Sequence, residues 1–282
     1  MQENISILKN RSVIKIFGID NESFLNNIFT NDINLINQNE VIPSALLSPQ
    51  GKIIFDVLMF KLKNFNDEEK TIFLECDSSQ IHELINKLKL YSLRQDVIIK
   101  ETELTVLTTN HANKFKNIKF DKRFNLPDFG RLYLKKEQLE NLKPLNLSSN
   151  LNWYIKLKFL ECVPEGSKEI PINKIFPFEI NMILEKGVCF KKGCFIGQEV
   201  IARVKYKGKI KKKYFSFKVS SNKNIDLKSN ILNQNGSEIG KIIYSINIEN
   251  NIFGFCLVNT KFIDNEKKKI KFFINNLYIS IY

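Results

Sequence analysis

The sequence predicts an α+β protein, a body of antiparallel sheets with helices packed on them, followed by a small all-β C-terminal domain, a barrel or a sandwich. Three observations carry that expectation: strand and helix signals alternate from residue 12 to 110, a hairpin turn is spelled out at "SPQG", and strands run without helices after residue 205. With 282 residues, 43% of them apolar, the chain is long enough for about two domains. The body is assigned to residues 1–200, as two α+β halves that meet near residue 110, and the C-terminal β domain to residues 201–282.

"SVIKIFGI", from Ser12, reads as the first strand. Asp20 then stands as an N-cap, with Glu22 in the first turn and Phe24, Leu25 and Ile28 at helical spacing. In "VIPSALLSPQGKIIFDVLMFKL" two apolar runs flank a turn, with Pro49 suited to its second position and Gly51 to its fourth. "TIFLEC" is a strand, and Ile81, Leu84, Ile85 and Leu88 form the inward stripe of the next helix. "DVIIKE", "LTVLTT" and "RLYLKK" return to strand. "NLNWYIKLKFLEC" is helical, with Tyr154, Leu157 and Leu160 on one face and Pro164 as its stop. The tail offers "KKYFSFKVS", "EIGKIIYSI", "IFGFCLV" and "KIKFFINNLYISI", with an Asn235-Gly236 turn.

Composition excludes several classes. The longest apolar run, "KIIFDVLMFKL", is broken by Asp56 and closed by Lys61, so no membrane span is expected. The opening "MQENISILKNRSV" carries Glu3 and has neither an apolar h-region nor an Arg/Ser-rich amphipathic pattern, so a cytoplasmic location is expected; a monomer is expected as well. The five cysteines, Cys76, Cys162, Cys189, Cys194 and Cys256, are an odd and scattered set that argues against a disulfide framework. Only His82 and His111 accompany them and no C-x-x-C occurs, which argues against zinc. Cys189 and Cys194 have the spacing of one iron–sulfur pattern, but its third cysteine is absent, so a cluster held by this chain alone is not expected.

A net charge of +13 invites a nucleic-acid reading, tempered by a composition rich in Lys, Asn, Ile and Phe throughout. From Arg203 the cations fall on alternate positions: Lys205, Lys207, Lys209, Lys211 and Lys213. Read as a strand, this spacing lines one face with charge over about 33 Å. Two readings follow, an edge strand protected by its lysines and a groove for tRNA or an acidic partner protein.

The tightest motif is "KKGCFIGQEV", Lys191 to Val200. A thiol works as its thiolate, which needs positive surroundings and exposure. Lys191 and Lys192 supply charge, Gly193 and Gly197 permit turns, and Gln198 and Glu199 can orient a partner or accept a proton. Spacing alone equally allows Cys194 to be a small apolar side chain buried in a bend.

"GVCFKKGCFIGQEVIAR" resembles the K-G-C-[FY]-x-G-Q-E signature of the YgfZ-type folate-binding proteins, relatives of the glycine-cleavage aminomethyltransferase, or T-protein. "GIDNESFLNNIFTNDI", "LLSPQGKIIFDV", "KLYSLRQDV", "VPEG" and "FPFEINM" follow the family's order. The resemblance implies a T-protein-like body with a C-terminal β-barrel and a central tetrahydrofolate pocket. It also implies a role in maturing or repairing iron–sulfur proteins, tRNA-thiolating radical enzymes among them. Carried over by position, it makes Lys192 and Cys194 the reactive core, supported by Gly193, Gly197, Gln198, Glu199 and Arg203.

A pteridine needs an aromatic face and a carboxylate to accept from its N–H groups. Tyr154 matches an aromatic contact of the family, ten residues ahead of Pro164, and Trp153 adjoins it. Either ring equally suits a helix core. Asp56 fills one position of the aminomethyltransferases' acid pair and Phe55 the other, which leaves folate-dependent aminomethyl transfer as the alternative activity with its acid pair incomplete. Residue chemistry alone equally lets Asp56 face solvent on an alternating strand. Glu179 matches a family carboxylate near the pocket. Expected partners are the folate, iron–sulfur client or assembly proteins, and tRNA along Arg203 to Lys213.

Overall fold

Alternation along the strands sets the architecture of the body. The computed structural model describes residues 4–62, 71–140, 151–183, 186–220, 229–263, 272–274 and 277–281. Its first elements are β1 (Ile5–Ile7), β2 (Arg11–Phe17), α1 (Asn21–Ile28), β3 (Glu40–Leu47), β4 (Ile53–Phe60) and β5 (Ile72–Asp77). Then come α2 (Ile81–Tyr91), β6 (Ile98–Glu101), β7 (Thr105–Thr109), β8 (Lys119–Asp121) and β9 (Gly130–Leu134). These nine strands form one sheet in the order β1-β7-β9-β8-β3-β4-β5-β2-β6, which runs across residue 110. Its pairs are antiparallel except for β3 with β8.

Two expected local signals appear with a change of detail. The β3–β4 turn closes by Gly51 N–H donating to Ser48 O at 2.8 Å. Asp20 precedes α1, but its carboxylate accepts from the Asp96 N–H at 2.9 Å, so it ties the helix start to the loop after α2 rather than capping α1.

On β4, Phe55, Val57 and Met59 meet Phe24, Leu25 and Ile28 of α1 and Ile81, Leu84 and Leu88 of α2. Leu58 and Phe60 point the other way, into a cluster with Val13, Phe73, Phe129 and Tyr154. Both faces of the sheet are therefore covered. Asp56 shares the second face and is only 8% exposed, which overturns the solvent-facing reading.

The cover of that second face follows β9: α3 (Lys136–Glu140), α4 (Asn152–Leu160) and α5 (Gly166–Glu169). Residues 141–147 of the irregular stretch lie outside the described residues. On α4 the inward residues are Tyr154 and Phe159, whereas Leu160, expected inside, is 58% exposed.

The largest correction concerns the lysine-rich stretch. Residues Gln198–Lys207 form a helix, α6, and β10 (Lys212–Ser220) begins only near the end of the expected strand. The residues between the cations were to face a core, yet Tyr206 is 68% and Ile210 41% exposed. Burial instead falls on Ile201, at 0% exposure, with good helix formers around it. On a helix Lys205 lies about 200° from Arg203, so the cations do not share one face.

Beyond β10 lie β11 (Asn230–Asn233), β12 (Glu238–Ile248), β13 (Asn251–Asn259), β14 (Phe272–Ile274) and β15 (Leu277–Ile281). They pair in the order β10-β13-β12-β11-β14-β15, and β15 returns to β10, the order of a closed barrel. "KIKFFINNLYISI" holds two antiparallel strands rather than one, with residues 269–271 and 275–276 outside the described residues. The boundary drawn at 200/201 falls inside α6.

Tyr214, Phe253 and Phe255 dock this sheet on the body, clustering with Phe159 of α4. Tyr214 adds polar ties, its N–H donating to Glu179 O at 2.7 Å and its hydroxyl to Glu169 O at 3.0 Å. Phe255 is fully buried and its ring centroid lies 4.6 Å from that of Phe159. Phe255→Ala is expected to lower the unfolding free energy by about 3–5 kcal/mol, read by chemical denaturation.

Candidate functional site

The motif loop is built by anchoring. Cys189 N–H donates to Thr30 O at 2.9 Å, Thr30 Oγ1 to Gly187 O at 2.7 Å, and Asn31 Nδ2 to Lys186 O at 2.8 Å. These contacts lace the loop to the segment just after α1. Lys192 Nζ then donates to the carbonyls of Asn26, at 2.7 Å, and Phe29, and lies 4.9 Å from the Phe195 ring centroid. Carbonyls at a helix C-terminus lack intrahelical donors, so the ammonium caps α1. Burial pulls the Lys192 ammonium down to about 8. The expected reactive lysine is thus a positioning residue, its Nζ committed to two backbone oxygens.

Gly197 closes the loop at φ 79°, and a Cβ there would lie 2.6 Å from Ser48 O and 3.1 Å from Gly51 Cα. Gly51, at φ 80°, faces Val200 just as closely, with a would-be Cβ 3.1 Å from Val200 Cβ. The β3–β4 turn and the start of α6 therefore meet glycine to glycine. Gly193 has open space where its Cβ would be. Of the five cysteines Cys194 is exposed, Cys189 half-buried and the other three buried. Gln198 opens α6 with its N–H donating to Phe195 O at 3.1 Å, and exposed Glu199 pairs with Arg203 at 3.1 Å.

A second assembly lies beneath α4 and α5. Three guanidiniums, Arg11, Arg123 and Arg131, meet the carboxyl groups of Asp56, Glu75, Asp121 and Glu165. Arg131 is fully buried and reaches Glu75 Oε1 at 2.8 Å, Asp121 Oδ2 at 3.2 Å, the Tyr154 hydroxyl at 2.8 Å, and Glu165. Tyr133 donates to Glu75 Oε2 at 2.7 Å, and Tyr154 to Glu165. Burial works against ionised Glu165, but Arg131 and Arg123 more than offset it and hold the carboxyl well below its ordinary range. Asp56 goes the other way, pushed up by burial despite Arg11.

Asp56 also accepts from the Gly166 N–H, 3.2 Å from either oxygen, and so seats the first residue of α5. From α5, Glu169 reaches Lys158 Nζ at 2.6 Å and the Glu165 N–H at 2.8 Å. Lys158 and Glu169 wall a cavity of about 480 Å³ with Tyr154, the Ile7–Asn10 turn and Tyr244 of β12. Its size and mixed lining suit a small organic ligand.

Some expected site residues join this cavity and others do not. Tyr154 lines it, but Lys158 Nζ lies 5.7 Å from its ring centroid and Phe129 stacks at 6.2 Å, so the ring is not an open stacking face. Trp153 packs in the second-face cluster and donates from Nε1 to Ser6 Oγ at 2.8 Å. Glu179 accepts from the Phe176 N–H at 2.9 Å, closing its own turn, and burial pushes its carboxyl up. Among the described residues that line the cavity, none belongs to Phe190–Glu199. Cys194 and Tyr154 thus belong to separate places. Arg11, Glu75, Asp121, Arg123, Arg131, Lys158, Glu165, Glu169 and Tyr244 went unrecognised. A charged residue inside an apolar strand run, as Glu75 in "TIFLEC" or Arg131 in "RLYL", was the one available signal.

Comparison with known proteins gives the fold first. The fold is that of an aminomethyltransferase: the glycine cleavage system aminomethyltransferase T from Bartonella henselae superposes with a TM-score of 0.76 at 13% identity, over 99% of this chain and 85% of that one. Sequence then gives relatives. The chain is 27% identical over 235 residues to the mitochondrial iron–sulfur cluster assembly factor IBA57 of Mus musculus, covering 75% of this chain and 65% of that protein. The Homo sapiens protein of the same name is 28% identical over 229 residues, covering 74% and 64%. The chain therefore spans a little under two thirds of the length of these curated relatives. No protein-family model matches it.

The geometry makes two predictions. Gly197→Ala is expected to destabilise by about 1–3 kcal/mol, whereas Gly193→Ala stays within about 0.5 kcal/mol; equal effects in thermal melts would contradict the docking of the loop. Glu165→Gln is expected to cost about 3–5 kcal/mol at pH 7. Because the folded carboxyl of Glu165 is depressed, its stabilisation is present above its ordinary value of 4.5 and is lost as pH falls through the folded value. The variant should accordingly show a shallower loss of stability below that pH, and an unchanged slope would rule this out.

Proposed function

We propose that this protein is a tetrahydrofolate-binding factor that assists maturation or repair of iron–sulfur proteins, presenting Cys194 to its clients. The observation that carries the reading is the exposure of Cys194 on a loop fastened by Lys192 and Gly197. Similarity to iron–sulfur cluster assembly factors supports the class of cargo. An exposed thiol can meet ligands on a second protein. Among the described residues no three His, Cys, Asp or Glu side chains gather as metal ligands. A cluster in transit would therefore take one thiolate from this chain and its remaining ligands from the client.

The folate belongs in the 480 Å³ cavity. Glu169 would accept from the pteridine N–H groups, Tyr244 would offer an aromatic face, and Lys9 would face the anionic tail. Asp56 acts at one remove, holding α5 and hence Glu169 in place. The reading therefore treats the folate as a ligand of the body and the thiol as the contact to clients. A cytoplasmic location remains part of the proposal; the named relatives are mitochondrial.

The test is genetic. In cells lacking their own copy of such a factor, the intact chain should restore the activity of cluster-dependent enzymes and Cys194→Ser should not, while the purified variant keeps its folate affinity within about twofold. Full restoration by Cys194→Ser would remove the thiol from the function.

A further inference from the structure

A second cavity, about 410 Å³, opens between α6, the connector before it and the start of β10. Ile183, Val204 and Ile210 give it apolar walls, and Lys205 and Lys213 also line it. Asn181 also lines it, with its Oδ1 buried and without a hydrogen-bond partner. Five of its lining residues come from residues 200–220, which hold eight Lys and Arg and no Asp or Glu; Glu179, beside the lining residue Phe178, is the acidic group near Lys212. Arg203 is paired with Glu199; among the described residues none of the other seven has an ion pair.

We propose that this cavity is a docking site for an acidic segment of another protein that inserts one apolar side chain. Carboxylates of the segment pair with Lys205 and Lys213, and its apolar side chain is buried against Ile183, Val204 and Ile210. A backbone N–H of the segment satisfies Asn181 Oδ1, which a buried amide oxygen needs. An apolar anchor in a pocket with a charged rim is the form in which short segments gain both affinity and specificity. RNA fits less well, because single strands use stacking platforms and have nothing to fill an aliphatic pocket.

The site is joined to the thiol loop. Lys205 Nζ lies 3.9 Å from the ring centroid of Phe190, and Phe190 meets Tyr206 edge-on at 6.1 Å. Phe190 is four residues ahead of Cys194, so a segment held at α6 bears on the same loop. That this partner is an iron–sulfur client rests on the function proposed above; the docking chemistry does not.

Fluorescence anisotropy of a labelled peptide, EDELFEDE, against the full chain without folate tests the site, with EDESSEDE as the charge-matched control. EDELFEDE is expected to bind saturably and about tenfold more tightly than EDESSEDE. Lys205→Glu with Lys213→Glu, or Ile210→Asp at an exposed position, should weaken it about tenfold or more, while the same charge reversal at exposed Lys89 of α2 leaves it unchanged. The pair of variants keeps the test valid if one of them fails to fold. No saturable binding, equal affinity for the two peptides, or tighter binding of tRNA to the same lysines would each overturn the proposal. Since folate is absent, a failure here is distinct from a failure of the folate reading.

Discussion

The buried Arg131 guanidinium is the contact on which the rest of the body depends. It joins Glu75 of β5, Asp121 of β8, Glu165 ahead of α5 and Tyr154 of α4 at one point with no solvent. Hydrophobic packing brings α4 over the sheet, but packing is non-directional, whereas this planar fork accepts only one arrangement of its acceptors. Removing a single partner strands buried charge, which makes the arrangement expensive to break rather than strongly stabilising in itself. Its consequence is placement: with Glu165 held, α5 is held, and with α5 the Lys158–Glu169 pair at the mouth of the cavity.

The motif loop is positioned by a different device. Its glycine approach to the β3–β4 turn and its lysine cap on α1 spend backbone and side-chain groups on anchoring, leaving Cys194 as the exposed part. The two regions share β4: its turn receives Gly197, and its Asp56 seats α5. Cavity and thiol thus lean on one strand while facing different surroundings.

How much could be read in the sequence follows from the range of each interaction. α1, α2 and the β3–β4 turn were legible, because their signals sit within a few residues of one another. Gly197 was legible as a motif position, although its need for a left-handed conformation becomes clear only against Ser48. The ion network was not, since Arg11, Glu75, Asp121, Arg131 and Glu165 are scattered over 155 positions and each alone looks like a surface charge. The solvent-facing alternative for Asp56 failed because period-two alternation implies a wet face only when nothing covers it, and here α4 and α5 do. The lysines from Arg203 misled because alternation of charge was taken for strand geometry when the buried residue, Ile201, obeyed a helix.

The most direct test is anaerobic calorimetric titration of the purified chain with tetrahydrofolate, repeated for Glu169→Gln, Tyr244→Ala and Cys194→Ser. The account predicts saturable binding that the first two substitutions weaken and the third leaves alone. Heat unaffected by Glu169→Gln and Tyr244→Ala, or abolished by Cys194→Ser, would contradict a folate-binding body with a separate, outward-facing thiol.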